Sequence, residues 1–275
     1  MRPRAKGCPE LNLVEAIAQA RRRGVAPVIA EIKRLIPKLA EEGRGRDDRD
    51  AALLAGWYEE GGAAGISLVT ERRHFGGQPE ADVPAVLRAT SLPLLIKDFI
   101  LDQAGVDYYA ALVAAVCPAF LSRVALLLIA HHLDDRLPDL LRYTHRRGML
   151  ALVETRGPED LRYLAGADSA PRLVGINNKD IDELERGENV VRVNQEMISR
   201  YRRVVGEAVI VSQSAHRSPA DVRRSLAAGA DAVLVGTAFL LAEQPADAVA
   251  SFVRAGEESG GEQDAGEKGA GEGGR

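Results

Sequence analysis

Cysteine is almost missing from this chain: Cys8 and Cys117 are the only two. They stand far apart, with no CxxC or Cys/His spacing, which argues against a disulfide framework or a zinc module and points to free thiols. Long hydrophobic runs are missing too. No apolar stretch approaches the roughly 20 residues of a membrane span, and the basic start (Arg2, Arg4, Lys6) leads into an amphipathic stretch rather than an apolar signal core. The expectation is a cytoplasmic protein with no membrane partner. A charge excess of one sign is also lacking. The net charge is −4, and the six acids and two bases of residues 257–275 account for all of it. The remaining body is close to neutral, so no nucleic-acid or anionic-membrane partner is expected.

What is present is a rhythm. The 275 residues, 46% hydrophobic, are enough for one large core. Eight short β-branched or Leu-rich runs recur: VIAEIK (28–33), GISLVT (65–70), LPLLIKD (92–98), ALLLIA (125–130), MLALVET (149–155), RLVGINN (172–178), AVIVSQS (208–214) and AVLVGTA (232–238). Most are nearly continuous in apolar character, as parallel strands covered by helices must be. The segments between them carry helical signals. In Ser218-Pro219-Ala220-Asp221 the Ser can cap, Pro suits the first turn and the acid suits the positive helix end. Gly166 and Gly229 stand where helices must stop before the next strand. Eightfold β–α alternation predicts a (β/α)8 TIM barrel, with a doubly wound open sheet as the alternative. Residues 10–24 read as an extra N-terminal helix. The expected domain is residues 1–256, followed by a disordered Gly- and Glu-rich acidic tail, 257–275, too poor in apolar residues to offset the entropy of ordering.

Polar residues gather where these strands end, the face on which barrel enzymes build their sites. Glu31 and Lys33 end the first strand, Lys97 and Asp98 the third, and Glu154 the fifth. Asn177, Asn178 and Lys179 end the sixth, Gln213 and Ser214 the seventh, and Gly236 and Thr237 the eighth. One lysine or glutamate after a strand is commonly a solvated loop charge. Six strands converging on one mouth are different, because a partly dehydrated pocket can tune Lys and Glu into an acid and a base. His131-His132 also lies near the mouth, but adjacent residues are expected to point to different faces, so no metal site is expected there.

These strings, in order, resemble the indole-3-glycerol phosphate synthase family: AEIKR (30–34), GISLVTERRHFGG (65–77), LPLLIKDFILD (92–102), LVE (152–154), GINNKD (175–180), VSQSA (211–215) and LVGTAFL (234–240). The resemblance runs over about residues 12–254. It implies a cofactor-free lyase that closes the ring of 1-(o-carboxyphenylamino)-1-deoxyribulose 5-phosphate, releases carbon dioxide and loses water. It also implies roles. Lys97 would be the general acid at the substrate carbonyl, with a Schiff-base role as the other option, and Glu154 the acid/base partner in later steps. Lys33 would hold the anthranilate carboxylate or act in dehydration, Glu31 would orient Lys33, and Asn177 would fix substrate hydroxyls. Phe75 and Phe99 would line the aromatic pocket. Lys179, Gln213, Ser214, Ala215, Gly236 and Thr237 would complete the substrate site. The implied partner is a small phosphorylated amino-sugar, bound by a monomer or small homo-oligomer.

Two departures stand out. The family's seventh strand usually ends Glu-Ser-Gly, whereas this one ends Gln213-Ser214-Ala215. That removes a carboxylate and adds a methyl where backbone N–H groups would approach a phosphate. After the first strand, Leu35-Ile36-Pro37-Lys38 replaces a serine-bearing loop, leaving Lys179, Gly236, Thr237 and Lys38 as the candidate phosphate contacts. Two alternatives therefore stay open: a divergent family member acting on a related N-aryl or amino-sugar substrate in secondary metabolism, and a non-catalytic ligand-binding barrel.

Overall fold

In the computed structural model, which describes residues 11–165, 171–183 and 190–259, all eight expected strands form. They are β1 (Val28–Ile32), β2 (Gly65–Val69), β3 (Leu94–Lys97), β4 (Val124–Ile129), β5 (Leu150–Thr155), β6 (Leu173–Asn177), β7 (Val209–Gln213) and β8 (Ala232–Val235). Each pairs in parallel with the next, and β8 pairs with β1. The sheet is a closed barrel, and the open doubly wound alternative is excluded. The helices are α1 (Leu13–Arg22), α2 (Pro37–Ala40), α3 (Ala51–Glu60), α4 (Pro79–Ala89), α5 (Gln103–Val116), α6 (Ala130–Leu133), α7 (Leu137–Arg146), α8 (Gln195–Val205), α9 (Pro219–Ala227), α10 (Thr237–Leu240) and α11 (Pro245–Val253). Between β5 and β6 the described residues form a short 3-10 helix, Pro158–Tyr163, in place of a full α-helix.

The strands look uniformly apolar in sequence, yet their two faces separate in space. Val28, Ala30, Ile32, Leu94, Ile96, Val174 and Ile176 point outward into the cluster shared with the helices. Ile29, Leu95, Leu127, Leu152, Leu173, Val211 and Leu234 point inward and fill the barrel. α1 closes the N-terminal end of this inner core. Its start is fixed by a capping box, with the Glu15 N–H donating to Asn12 Oδ1 at 3.1 Å and the Asn12 N–H donating to Glu15 Oε2 at 2.9 Å. Leu13 and Ile17 then reach into the inner cluster. Gly65 makes the room: a Cβ there would lie 2.7 Å from Leu13 Cδ1. This helix therefore plugs the barrel floor, opposite the mouth.

Ser218 caps α9 as expected and closes a box with Asp221: the Ser218 side chain accepts the Asp221 N–H, while Asp221 Oδ2 accepts the N–H groups of Arg217 and Ser218 at 3.0 Å and the Ser218 hydroxyl at 2.9 Å. Gly229 ends α9 at φ +101°, whereas Gly166 lies outside the described residues. A 3-10 segment, Arg254–Ser259, follows α11, so the chain keeps regular structure three residues into the expected tail; residues 260–275 lie outside the described residues.

Candidate active site

Along the inward column of each strand, apolar side chains at the floor give way to polar ones at the C-terminal end. The alternation that sends Ile29 inward sends Glu31 and Lys33 inward as well, and the same register brings Lys97, Glu154, Asn177 and Gln213 to one level. All six are buried. Lys33 Nζ lies 2.9 Å from Glu31 Oε1, and Lys97 Nζ lies 3.5 Å from Glu31 Oε2 and 3.8 Å from Glu154 Oε2. Asn177 Nδ2 donates to Glu154 Oε1 at 3.1 Å, and Asn177 Oδ1 accepts the Lys179 N–H at 3.0 Å. Two carboxylates and two ammonium groups thus form one chain across the mouth. Water is largely excluded, so each charge relies on its neighbours for solvation.

Two recesses flank this chain. One, about 320 Å³, is lined by Lys33, Val69, Glu71, Phe75, Lys97, Asp98, Phe99, Leu127, Ile129 and Ile181. Its walls are apolar and aromatic, and both lysines lie at its edge. Lys33 Nζ sits 5.3 Å from the Phe75 ring centroid, a cation–π distance. Phe75 is held by a built loop: the Glu71 carboxylate accepts the N–H groups of Arg73, His74 and Phe75 at 2.7 to 3.0 Å. On the other side, Asp98 accepts the Tyr109 hydroxyl at 2.5 Å and the Phe99 N–H at 2.8 Å, fixing the chain beyond Lys97.

The second recess is polar, lined by Glu31, Lys33, Lys179, Ser214, Ala215, His216, Arg217, Leu234, Gly236 and Thr237. It lies at the loops after β7 and β8, where barrels commonly hold phosphate. Ser214 and Ala215 both have left-handed backbones, φ +63° and +64°. Asn178 braces this turn by donating to the carbonyls of Gln213 and Ser214 at 2.8 and 3.2 Å. Gly236 allows close approach: a Cβ there would meet Glu31 Oε1 at 2.6 Å. His216 adds no cation, because burial holds its imidazole down at about 4; its Nε2 pairs with the Ser225 hydroxyl at 2.8 Å.

Gln213, at the end of β7, is fully buried, and neither its amide oxygen nor its amide nitrogen has a hydrogen-bond partner. A buried amide left unsatisfied costs roughly 1–3 kcal/mol, a cost sites accept where a ligand completes the bonding. Gly175 accommodates it, since a Cβ there would lie 2.0 Å from Gln213 Nε2.

Apart from Lys38, the site residues singled out in the sequence lie at the mouth, but the sequence reading missed several neighbours. Ser67 donates to Glu31 Oε2 at 3.4 Å from inside β2; its inward register was the available signal. Arg217, in the polar recess, was hidden by its position four residues past the strand. Lys38, offered as a phosphate contact, is exposed on α2 and is not among the lining residues of that recess. The expectation that His131 and His132 diverge is also corrected. They lie in the first turn of α6, where neighbours are about 100° apart rather than opposed, and both rings reach Asp182: His131 Nε2 at 3.1 Å and His132 Nε2 at 2.8 Å.

A sequence model of the family described as indole-3-glycerol phosphate synthase matches residues 4–252. The chain belongs to this family. Among its relatives, the indole-3-glycerol phosphate synthase of Pyrococcus furiosus is 34% identical over 244 residues, covering 89% of this chain and 97% of that one. The synthase of a Parafrankia species is 36% identical, covering 93% and 87% of the two chains. Among solved structures, one described as "Native KDPGal structure" overlays with a TM-score of 0.57 at 16% identity, covering 85% of this chain and 95% of that one; this shows the barrel fold alone. Among the described residues, no helix is long and apolar enough to cross a membrane.

Proposed function

We propose that the chain is a carbon–carbon lyase of the indole-3-glycerol phosphate synthase type, converting 1-(o-carboxyphenylamino)-1-deoxyribulose 5-phosphate to indole-3-glycerol phosphate, carbon dioxide and water. The observation that carries this reading is the pairing of an aromatic recess with a polar one across a buried Lys–Glu chain. The substrate has that shape: an aryl carboxylate at one end, a phosphate at the other, and the reacting carbonyl between them.

In this reading the aryl ring enters between Phe75 and Phe99, with Lys33 holding its carboxylate. Lys179, Arg217 and the N–H groups of the turn after β7 receive the phosphate. Lys97 protonates the carbonyl oxygen as the ring carbon bearing the carboxylate attacks the carbonyl carbon. Loss of carbon dioxide returns its bonding electrons to the ring. The hydroxyl so formed then leaves as water, with Lys33 or Lys97 supplying the proton and Glu154 accepting the one released. Glu31 keeps both lysines in place, and Asn177 and Gln213 bind substrate hydroxyls. No step in this scheme calls for a cofactor.

The test is to incubate purified protein with this substrate and follow indole fluorescence together with released carbon dioxide. Both signals rising in one-to-one ratio are expected. A folded protein that yields neither would exclude the activity and leave the related-substrate alternative.

A further inference from the structure

At the rim beyond the aromatic recess, His131 and His132 of α6 face Asp182, which follows β6. Their ligand-capable atoms all lie within 4.8 Å of one another. Asp182 Oδ1 is 3.2 Å from His131 Nε2 and 2.8 Å from His132 Nε2. Donors bound at about 2.0–2.1 Å around a tetrahedral ion sit roughly 3.3 Å apart, so the two separations from Asp182 are already close to this spacing. We infer that His131, His132 and Asp182 bind one divalent transition-metal ion of the Zn²⁺ class, clasping the loops after β4 and β6.

The second, independent observation is the far side of His131. Its Nδ1 is buried without a hydrogen bond and lies 3.8 Å from the carboxylate of Asp160. A neutral imidazole carries one N–H, so either tautomer leaves a nitrogen lone pair facing a carboxylate: Asp160 on one side or Asp182 on the other. A metal on Nε2 resolves this, because Nδ1 then holds the proton and turns it toward Asp160, the usual carboxylate–histidine–metal arrangement. Local charge favours a cation. Asp160 and Asp182 face the cluster; the Arg156 guanidinium lies 3.3 Å from the first and 3.5 Å from the second, while the Arg136 guanidinium donates to the backbone carbonyls of His132, Leu133 and Leu101. When the ion takes Asp182, Arg156 keeps Asp160. Two imidazoles and one carboxylate suit Zn²⁺, Co²⁺ or Ni²⁺ over Mg²⁺ or Ca²⁺.

The ion would sit outside the Lys–Glu chain, so this inference does not rest on the proposed reaction. Its reach toward the recess is indirect. His132 packs against Phe99 at a ring-centroid distance of 5.7 Å, and Asp182 adjoins Ile181 in the recess wall.

The experiment titrates tag-free, chelator-stripped full-length protein with Co²⁺, reading visible absorption, in the wild type and in His132→Ala and Asp182→Asn. Both positions are partly exposed, and circular dichroism checks that the variants fold. The expected result is one equivalent of four-coordinate Co²⁺, displaced by Zn²⁺ and not by Mg²⁺, with at least tenfold weaker binding in each variant. Three results would overturn the inference: no saturable binding by the wild type, in which case a proton on His131 satisfies both carboxylates; unchanged binding in both variants; or a thiolate-to-cobalt charge-transfer band, which would place the ion on cysteine.

Discussion

Ala215 sits at φ +64°, where a side chain is crowded against its own backbone. Replacing it by glycine removes that crowding and the methyl beside the polar recess. Ala215→Gly should stabilise the fold by about 1 kcal/mol in urea unfolding and lower KM for a phosphorylated substrate. His216 carries a pH signature. Burial holds its folded value at about 4, against 6.5 for the ordinary imidazole. The unfolded chain therefore binds more protons between those values, so the full benefit exists above about pH 6.5 and is lost as pH falls toward 4, amounting to about 3 kcal/mol. In His216→Gln, thermal melts from pH 7 to pH 4 should fall less steeply than in the wild type. An identical slope would contradict the neutral, buried assignment.

At the scale of elements, α1 acts as a floor plug through two side chains, so Leu13→Ala should cost about 2–5 kcal/mol, read as a shift in urea midpoint, with little change in KM. Gly175 tests the opposite end of the barrel. A methyl there collides with Gln213 Nε2 and Leu152 Cδ2, so Gly175→Ala should displace the Gln213 amide and reduce kcat/KM at least tenfold while the protein stays folded.

The strands and the mouth were legible in sequence because eight apolar runs recur and polar residues gather at the ends of six of them. The two faces of each strand were not. Helices cover the outside of a barrel and side chains fill its inside, so both faces are apolar and the alternation reappears only where Glu31, Lys97, Glu154, Asn177 and Gln213 turn inward. Local chemistry gave the Ser218 cap, which closes a reciprocal box with Asp221, but the equally reciprocal Asn12–Glu15 box before α1 went unread. The closeness of His131 and His132 to Asp182 was illegible because it depends on a β6 loop 50 residues away in sequence.

Over the whole molecule, one closed sheet sets α1 below the core, an aromatic recess and a polar recess above it, and a buried Lys–Glu chain between the recesses. A neutral amide at Gln213 leaves that chain intact, since Lys97 contacts Glu31 and Glu154. The central claim is that Lys97 supplies the proton for ring closure. The direct measurement compares wild type with Lys97→Met, recording substrate binding by calorimetry and product formation by indole fluorescence. The account predicts a folded variant that binds substrate within about tenfold of wild type and turns it over at least about a thousandfold more slowly. A variant that still forms product within tenfold of the wild-type rate would contradict it and remove Lys97 from the chemistry.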